Sequence, residues 1–378
     1  MSDLFPVFAA LPARINRQLS ALAEGIAGAR VVDEAECVLS VLLAILLGHL
    51  IGVENVSWAA FSGYMVMRGH VLDSLLRGTL RIAGTGIGVG LAILIVPTAV
   101  HALALSSLAC GLVGAATLYA SMTRKHSYAW LFVGLTFEMI LLDKLETPGH
   151  SIAVFATTRL WEVVAGTFAC VVVSALSNLT ARRRWPGKRV MLAQPAGWNP
   201  NALRHALQAG AALALLPPLG AMTGAPQLGQ SAISILAVML VPVSSLGVSG
   251  FLPVSRRLVQ RVAGCLAGAM LAAAVLLLAH GSAAALLAGT ALGVVIGRHI
   301  ENGGHGLAYV GTQFTLAVLV TLVPDSYAAA AAAPGFDRLY GILIGMAVLE
   351  PLLAAWHGAG LARGGQLGSG KGEQESTD

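Results

Sequence analysis

Four arginines stand where an arginine is costly. Arg81 and Arg159 fall in apolar stretches of the first half of the chain, and Arg261 and Arg338 in apolar stretches of the second. A guanidinium offers paired N–H donors in a planar fork that matches a carboxylate, so arginines within a membrane suit the binding of an organic anion. Each has a competing local role. Arg81 and Arg261 lie at the ends of their stretches, where a positive charge anchors a helix. Arg159 has Glu162 one turn on, and Arg338 follows Asp337, so both have an ion-pair partner at hand.

Three acids complete the set: Glu138, Glu162 and Glu350 also lie in apolar stretches. A carboxyl in a low-dielectric setting can trade protons, which makes these three the candidates for proton coupling. Pairing with an arginine or a helix end is the alternative. Trp58, Phe61, Tyr64, Trp130 and Phe132 cluster nearby in sequence. Trp58 and Tyr64 are candidates to stack on an aromatic substrate, against the reading that all five form an interfacial belt. The histidines show no convincing metal-ligand spacing, and the four cysteines, Cys37, Cys110, Cys170 and Cys265, are scattered through apolar runs. No Ser-His-Asp or paired-carboxylate arrangement is recognisable. The expectation is a protein that is not an enzyme and uses no metal or cofactor.

The elements that carry these residues must be membrane helices. The chain is 56% hydrophobic and 11% charged, against about 25% charged in a soluble domain. Its net charge of +5 is therefore no sign of nucleic acid; what matters is where the arginines fall between apolar runs. Twelve segments read as spans, near 36–53, 56–67, 80–97, 100–121, 127–142 and 160–180, then 203–219, 230–248, 258–279, 282–297, 306–323 and 338–356. The second is short. Arginines and lysines gather in alternate loops, from Arg14, Arg17 and Arg30 through Arg68 and Arg77 to Arg256 and Arg257, while Glu54, Asp143, Glu146 and Asp325 lie in the others. That asymmetry places both termini in the cytoplasm.

Residues 1–34 read as a cytoplasmic amphipathic segment, with Ile15, Leu19, Leu22 and Ile26 on one face. Two membrane units follow, 35–181 and 203–357, joined by a linker at 182–202. The Gly-rich polar tail, 358–378, reads as disordered.

The two units echo one another. Arg77-x3-Arg81-Ile-Ala-Gly84-x3-Gly88 recurs as Arg257-x3-Arg261-Val-Ala-Gly264-x3-Gly268, an offset of 180 residues. Arg159-x6-Gly166 recurs as Arg338-x6-Gly345, an offset of 179. Gly134-x2-Phe137 more loosely resembles Gly311-x2-Phe314. A shared offset across separate segments argues for internal duplication. Six spans per copy would give both copies the same orientation, with a substrate path between them. Gly84, Gly88, Gly264 and Gly268 are small residues four apart, which lets another helix approach closely in lipid. The glycine spacing and the absence of a preceding strand argue against a dinucleotide loop.

The Arg-x2-Gly helix, the short preceding span "SWAAFSGYMVMR" and their order along the chain resemble the fusaric acid resistance and aromatic acid exporter family, integral membrane bound transporters. The likeness runs over roughly residues 35–357. It implies a bacterial inner-membrane protein that exports aromatic carboxylic acids, with a periplasmic membrane-fusion protein as partner. Plant malate channels look like distant relatives. The larger exporters carry a cytosolic domain after the first six spans; here that connection is short.

The expected protein is thus all-α, with about twelve transmembrane helices in two parallel six-helix repeats. Its partners are the lipid bilayer and a small organic anion, with no nucleic acid. The expected activity is efflux of organic anions driven by the proton gradient. A passive anion channel of the same architecture and a non-transporting membrane scaffold are the competing readings.

Overall fold

The computed structural model describes residues 5–189, 197–246, 250–304 and 306–372, and side chains from residue 27 to 358 apart from Tyr327's neighbour at 328 and those gaps. The described elements are helical. In the first half they are α1 (Phe5–Ile51), α2 (Val56–Val66), α3 (Val71–Ala99), α4 (Leu103–Thr123), α5 (Ser127–Glu146) and α6 (Ile152–Leu179). A single turn, α7 (Ala181–Arg184), leads into the connection. The second half holds α8 (Pro200–Ala214), α9 (Leu216–Thr223), α10 (Leu228–Met239), α11 (Phe251–Ala279), α12 (Ala283–Glu301), α13 (Ala308–Leu322) and α14 (Ala333–Gly372).

Each of the twelve expected segments falls on one of these helices, but eight stretches are long and apolar enough to cross a membrane. They are α1 from Ala27, α3, α4, α6, α8 with α9, α11, α12 and α14 to Gly358. The other four segments fall short for physical reasons. At about 1.5 Å per residue, α2, α10 and α13, with 11, 12 and 15 residues, are well under the ~30 Å hydrocarbon thickness. Helix α5 carries Glu138, Asp143, Lys144 and Glu146. The segment expected over 230–248 is helical only to Met239; Pro242 follows, and a proline and the residue before it resist the helical conformation.

The stretch expected to lie on the membrane surface, Ile15 to Ile26, continues into α1 without a break in the backbone helix; its side chains lie outside the described residues. Helix α14 runs on to Gly372, into the Gly-rich stretch expected to be disordered; residues 373–378 lie outside the described residues.

Glycine sets the helix spacing in lipid, where packing drives association. A Cβ on Gly84 would collide with the carbonyl oxygen of Ala129, and one on Gly88 would come 2.7 Å from that of Val133, so α3 lies close along α5. In the second half a Cβ on Gly264 would come 2.5 Å from the carbonyl oxygen of Val310, and one on Gly268 would collide with that of Phe314, so α11 lies close along α13. Gly166 of α6 meets Ala59 and Ser62 of α2, and Gly345 of α14 meets Ser231 and Ser234 of α10 in the same way.

The halves interlock. Helix α1 packs against α12, while α8 packs against α4; α5 packs against α10, while α13 packs against α2. One continuous core joins Phe137 and Leu141 to Leu213, Leu236 and Leu353. The two crossed seams differ in kind. Between α4 and α8, Gly111 faces Gly210 and Leu213 covers Gly114. Between α1 and α12 the contact is ionic. Arg298 donates from Nε to Asp33 Oδ2 at 2.6 Å and from Nη2 to Asp33 Oδ1 at 3.1 Å, and Asn302 donates to the same carboxylate at 2.8 Å.

Candidate functional site

A cavity of about 1060 Å³ opens where the interlocked halves face each other. Its walls come from α2, α3, α4, α5, α10, α11, α12, α13 and α14. The first half contributes Arg68, Arg77, Arg81, Arg124 and Lys125, and the second Arg257, Arg261, Arg298 and Arg338. Glu301 is the one carboxylate among the described lining residues. Trp58, Phe61, Tyr64, Tyr128, Phe132 and Tyr309 supply aromatic wall. Burial, reinforced by repulsion from Arg77 and Arg298, lowers the pKa of the Arg68 guanidinium to about 10.

Sequence position explains how the arginines reach this space. Arg77 and Arg81 are one turn apart on α3 and share a face with Gly84 and Gly88. The glycines hold that face against α5, so the arginines meet Tyr128 and Phe132 at the start of α5. Arg77 lies 3.8 Å over the Tyr128 ring and Arg81 lies 4.1 Å over the Phe132 ring. Arg81 also donates from Nη1 to the Tyr128 hydroxyl at 3.0 Å and from Nε to Ser62 Oγ at 3.1 Å. The second half repeats the pattern in part. Arg257 lies 5.3 Å over the Tyr309 ring, and Arg261 donates from Nη1 to the Tyr309 hydroxyl at 3.3 Å.

These contacts match Tyr128 with Tyr309 and Phe132 with Gln313, an offset of 181 residues. The looser echo of Gly134 in Gly311 has an offset of 177, one helical turn out of that register.

Two of the lining arginines close the short helices. The last carbonyls of a helix lack intrahelical partners and carry negative partial charge, which is costly away from water. Arg77 donates from Nε to the carbonyl of Met65 at 2.9 Å, at the end of α2. Arg257 donates to the carbonyl of Leu240, just past the end of α10.

The sequence-predicted residues divide. Arg81, Arg261, Arg338, Trp58 and Tyr64 all line the cavity. Arg159 is not among the lining residues. Its guanidinium pairs with Glu162 at 2.9 Å and lies 4.3 Å over the Trp58 ring and 5.0 Å over Phe155. The i,i+3 spacing and the aromatic pair hold it behind Trp58. Glu162 is spent on the same pair. Glu138 is fully buried away from the cavity, against Cys110 of α4. Glu350 is half-buried on α14 before Pro351 and is in no ion pair among the described residues. The candidate proton-handling acids are therefore not brought together.

Sequence reasoning missed five participants: Arg298, Glu301, Tyr128, Tyr309 and Gln313. Arg298, Glu301 and Tyr64 form a chain on the wall: Tyr64 donates its hydroxyl to Glu301 Oε2 at 2.7 Å, and Arg298 Nη1 pairs with that oxygen at 3.2 Å. Arg298 was legible only as a loop-end charge. Tyr128 and Tyr309 carry an available signal, the offset of 181. Gln313 carries none, because its counterpart is Phe132.

Residues 35–192 match the model of the fusaric acid resistance protein family. The chain is 30% identical over 149 residues to a p-hydroxybenzoic acid efflux pump subunit AaeB of Musicola paradisiaca, covering 36% of this chain and 23% of that protein. It is 29% identical over 152 residues to the AaeB subunit of Escherichia coli O9:H4, covering 36% of this chain and 22% of that one. The chain thus aligns with less than a quarter of the length of these relatives. No solved structure matches it.

Proposed function

We propose that this chain, whose residues 35–192 match the fusaric acid resistance protein family, is an efflux transporter for organic anions of the aromatic carboxylic acid class. One observation carries the reading: the cavity between the halves is lined by eight arginines and a lysine against one carboxylate. A site of that balance repels cations and draws carboxylates, and its apolar and aromatic walls accept a ring. The compound for which the relatives are named, p-hydroxybenzoic acid, has that chemistry.

We read the two halves as copies of one unit in parallel orientation, supported by the paired glycine contacts and the paired Arg–Tyr contacts. In this reading the four shorter or more charged helices complete twelve membrane elements, and both termini are cytoplasmic. Apart from Arg338, which reaches in from the outer end of α14, the cavity arginines come from loops and helix ends on that same side, so the cavity takes substrate from the cytoplasm. Arg81, Arg261 and Arg338 face the anion, with Trp58 and Tyr64 beside it; Arg159 braces Trp58. Glu138, buried with no basic partner among the described residues, is the proton-coupling group. Glu162 and Glu350 play lesser parts. In the bacterial inner membrane, a periplasmic membrane-fusion protein would carry the substrate onward.

Transport in proteoliposomes loaded with labelled 4-hydroxybenzoate and benzoate tests the reading. The expected flux saturates with concentration and rises when a proton gradient is imposed. Single-channel currents without saturation would make the protein a channel. No organic-anion flux under any imposed gradient would overturn the function.

A further inference from the structure

We propose that the cavity holds one carboxylate seat, and that it lies in the second half, between Arg261 and Arg338. This inference rests on the anion-transport reading and names the point within the cavity where the acid group is held.

The two arginines are 1% and 3% exposed, and both line the cavity. Their guanidiniums lie within electrostatic reach of each other. Among the described residues neither has an acidic partner. Arg261 donates only from Nη1, to Tyr309; its Nε and Nη2 have no partner. Arg338 donates from Nη1 to Gln230 Oε1 at 3.4 Å and from Nη2 to Gln313 Oε1 at 3.2 Å, and its Nε has no partner. Two neighbouring buried cations with three vacant donor atoms are a costly arrangement unless an anion joins them.

The vacant edge on Arg261 has a defined shape. Nε and Nη2 form the side of the guanidinium that grips a carboxylate with two parallel hydrogen bonds. This protein fills that same edge twice elsewhere. Arg182 holds Glu36 through Nε at 2.8 Å and Nη2 at 2.6 Å, and Arg298 holds Asp33 through the same two atoms. On Arg261 the edge is empty.

The counterparts of these two arginines in the first half offer no second seat. Arg159, the counterpart of Arg338, is paired with Glu162. Arg81, the counterpart of Arg261, uses Nε on Ser62 and Nη1 on Tyr128, and lies over Phe132. Where the first half has that ring, the second has Gln313, which leaves an amide beside the arginines. Phe61 lies on the other side of the seat, with the Arg338 guanidinium 5.6 Å over its ring. A flat apolar body carried by a single carboxylate fits this surround.

Calorimetric titration of the purified full-length chain with benzoate, and with neutral benzamide, tests the seat. The expected result is one benzoate per chain and no competition from benzamide. Arg261→Gln and Arg338→Gln should each weaken benzoate binding by about tenfold to a hundredfold, the loss expected for a charge-assisted hydrogen-bonded pair. Gln313→Glu keeps the side-chain shape and sets a tethered carboxylate beside Arg338. It should raise the melting temperature and abolish benzoate binding. Wild-type affinity in Gln313→Glu, or two benzoates per chain, would overturn the seat and leave the anion cavity standing. A wild-type chain that binds no benzoate and moves no organic anion would overturn both.

Discussion

The carboxylate of Glu146 accepts hydrogen bonds from the backbone N–H of Leu228 at 2.6 Å and of Gln227 at 2.9 Å, so the last residue of α5 closes the N-terminus of α10. Asp325, just after α13, accepts from the N–H of Val56 at 2.8 Å and closes the N-terminus of α2. Each short helix thus has its start held by an acid from the opposite half and its end held by an arginine from its own.

These caps should be separable by mutation. Glu146→Ala and Asp325→Ala each remove a side-chain cap, a loss of about 1 kcal/mol. Glu146→Ala should cost more, because it orphans three backbone donors, those of Gln227, Leu228 and Gly229, rather than one. Thermal unfolding in detergent gives the comparison; equal or negligible losses would mean the caps carry no load between the halves.

The glycine-rich start of α3 yields a paired test. A Cβ on Gly88 meets the carbonyl of Val133 and the side chain of Thr136, whereas a Cβ on Gly86 or Gly90 meets nothing within 4 Å. Gly88→Ala should therefore destabilise by about 1–3 kcal/mol through overpacking. Gly86→Ala and Gly90→Ala should be neutral, or stabilise by up to about 1 kcal/mol through helix propensity. Melting temperatures of the three variants decide it.

The ionic seam between α1 and α12 should be brittle in a particular way. Asp33→Ala leaves Arg298 and Asn302 without their shared acceptor and should cost about 3–5 kcal/mol. Joint replacement of Asp33 and Arg298 by leucine should recover part of that loss, because no buried charge is left on either side of that pair. A double variant no more stable than Asp33→Ala would show that Glu301 satisfies Arg298 once Asp33 is gone.

On the cavity wall, Tyr64→Phe removes the hydroxyl that Glu301 accepts from. A hydrogen bond to a charged group is worth about 1.5–3 kcal/mol, and its loss leaves the Glu301 carboxylate less satisfied on the cavity wall, where it repels an incoming carboxylate. Transport should then show a raised apparent KM for benzoate with little change in maximal rate. An unchanged KM would place Glu301 outside the substrate's reach.

Much of this was legible in the sequence, for identifiable reasons. Membrane helices are written in long apolar runs, and close helix contacts in glycines four apart, so α3 and α11 could be read as related surfaces before any contact was known. Arg81, Arg261 and Arg338 could be found because a charge in an apolar run is conspicuous. What was not legible was partnership. Arg159 and Arg338 look alike in sequence; only the fold distinguishes the one paired with Glu162 from the one beside an unpaired neighbour. The interlocking of α1 with α12 and of α8 with α4 also leaves no periodic trace, because it depends on contacts between residues far apart in the chain, such as Asp33 with Arg298 and Gly111 with Gly210. The length of α10 was overestimated because apolar residues continue past Met239 while the backbone, ahead of Pro242, does not.

The shortness of α2 and α10 has an electrical consequence. Their 11 and 12 residues rise only about 16 and 18 Å, and the cavity runs along them as deep as Trp58 on α2 and Ile233 on α10. In the proposed orientation the cavity shares the potential of the cytoplasm, so the membrane voltage would fall mainly across this thin septum. A carboxylate leaving its seat for the far side then crosses most of the field in one short step. With the interior negative, each unit of negative charge gains about 2.3 kcal/mol per 100 mV on the way out. The same field stands against its return.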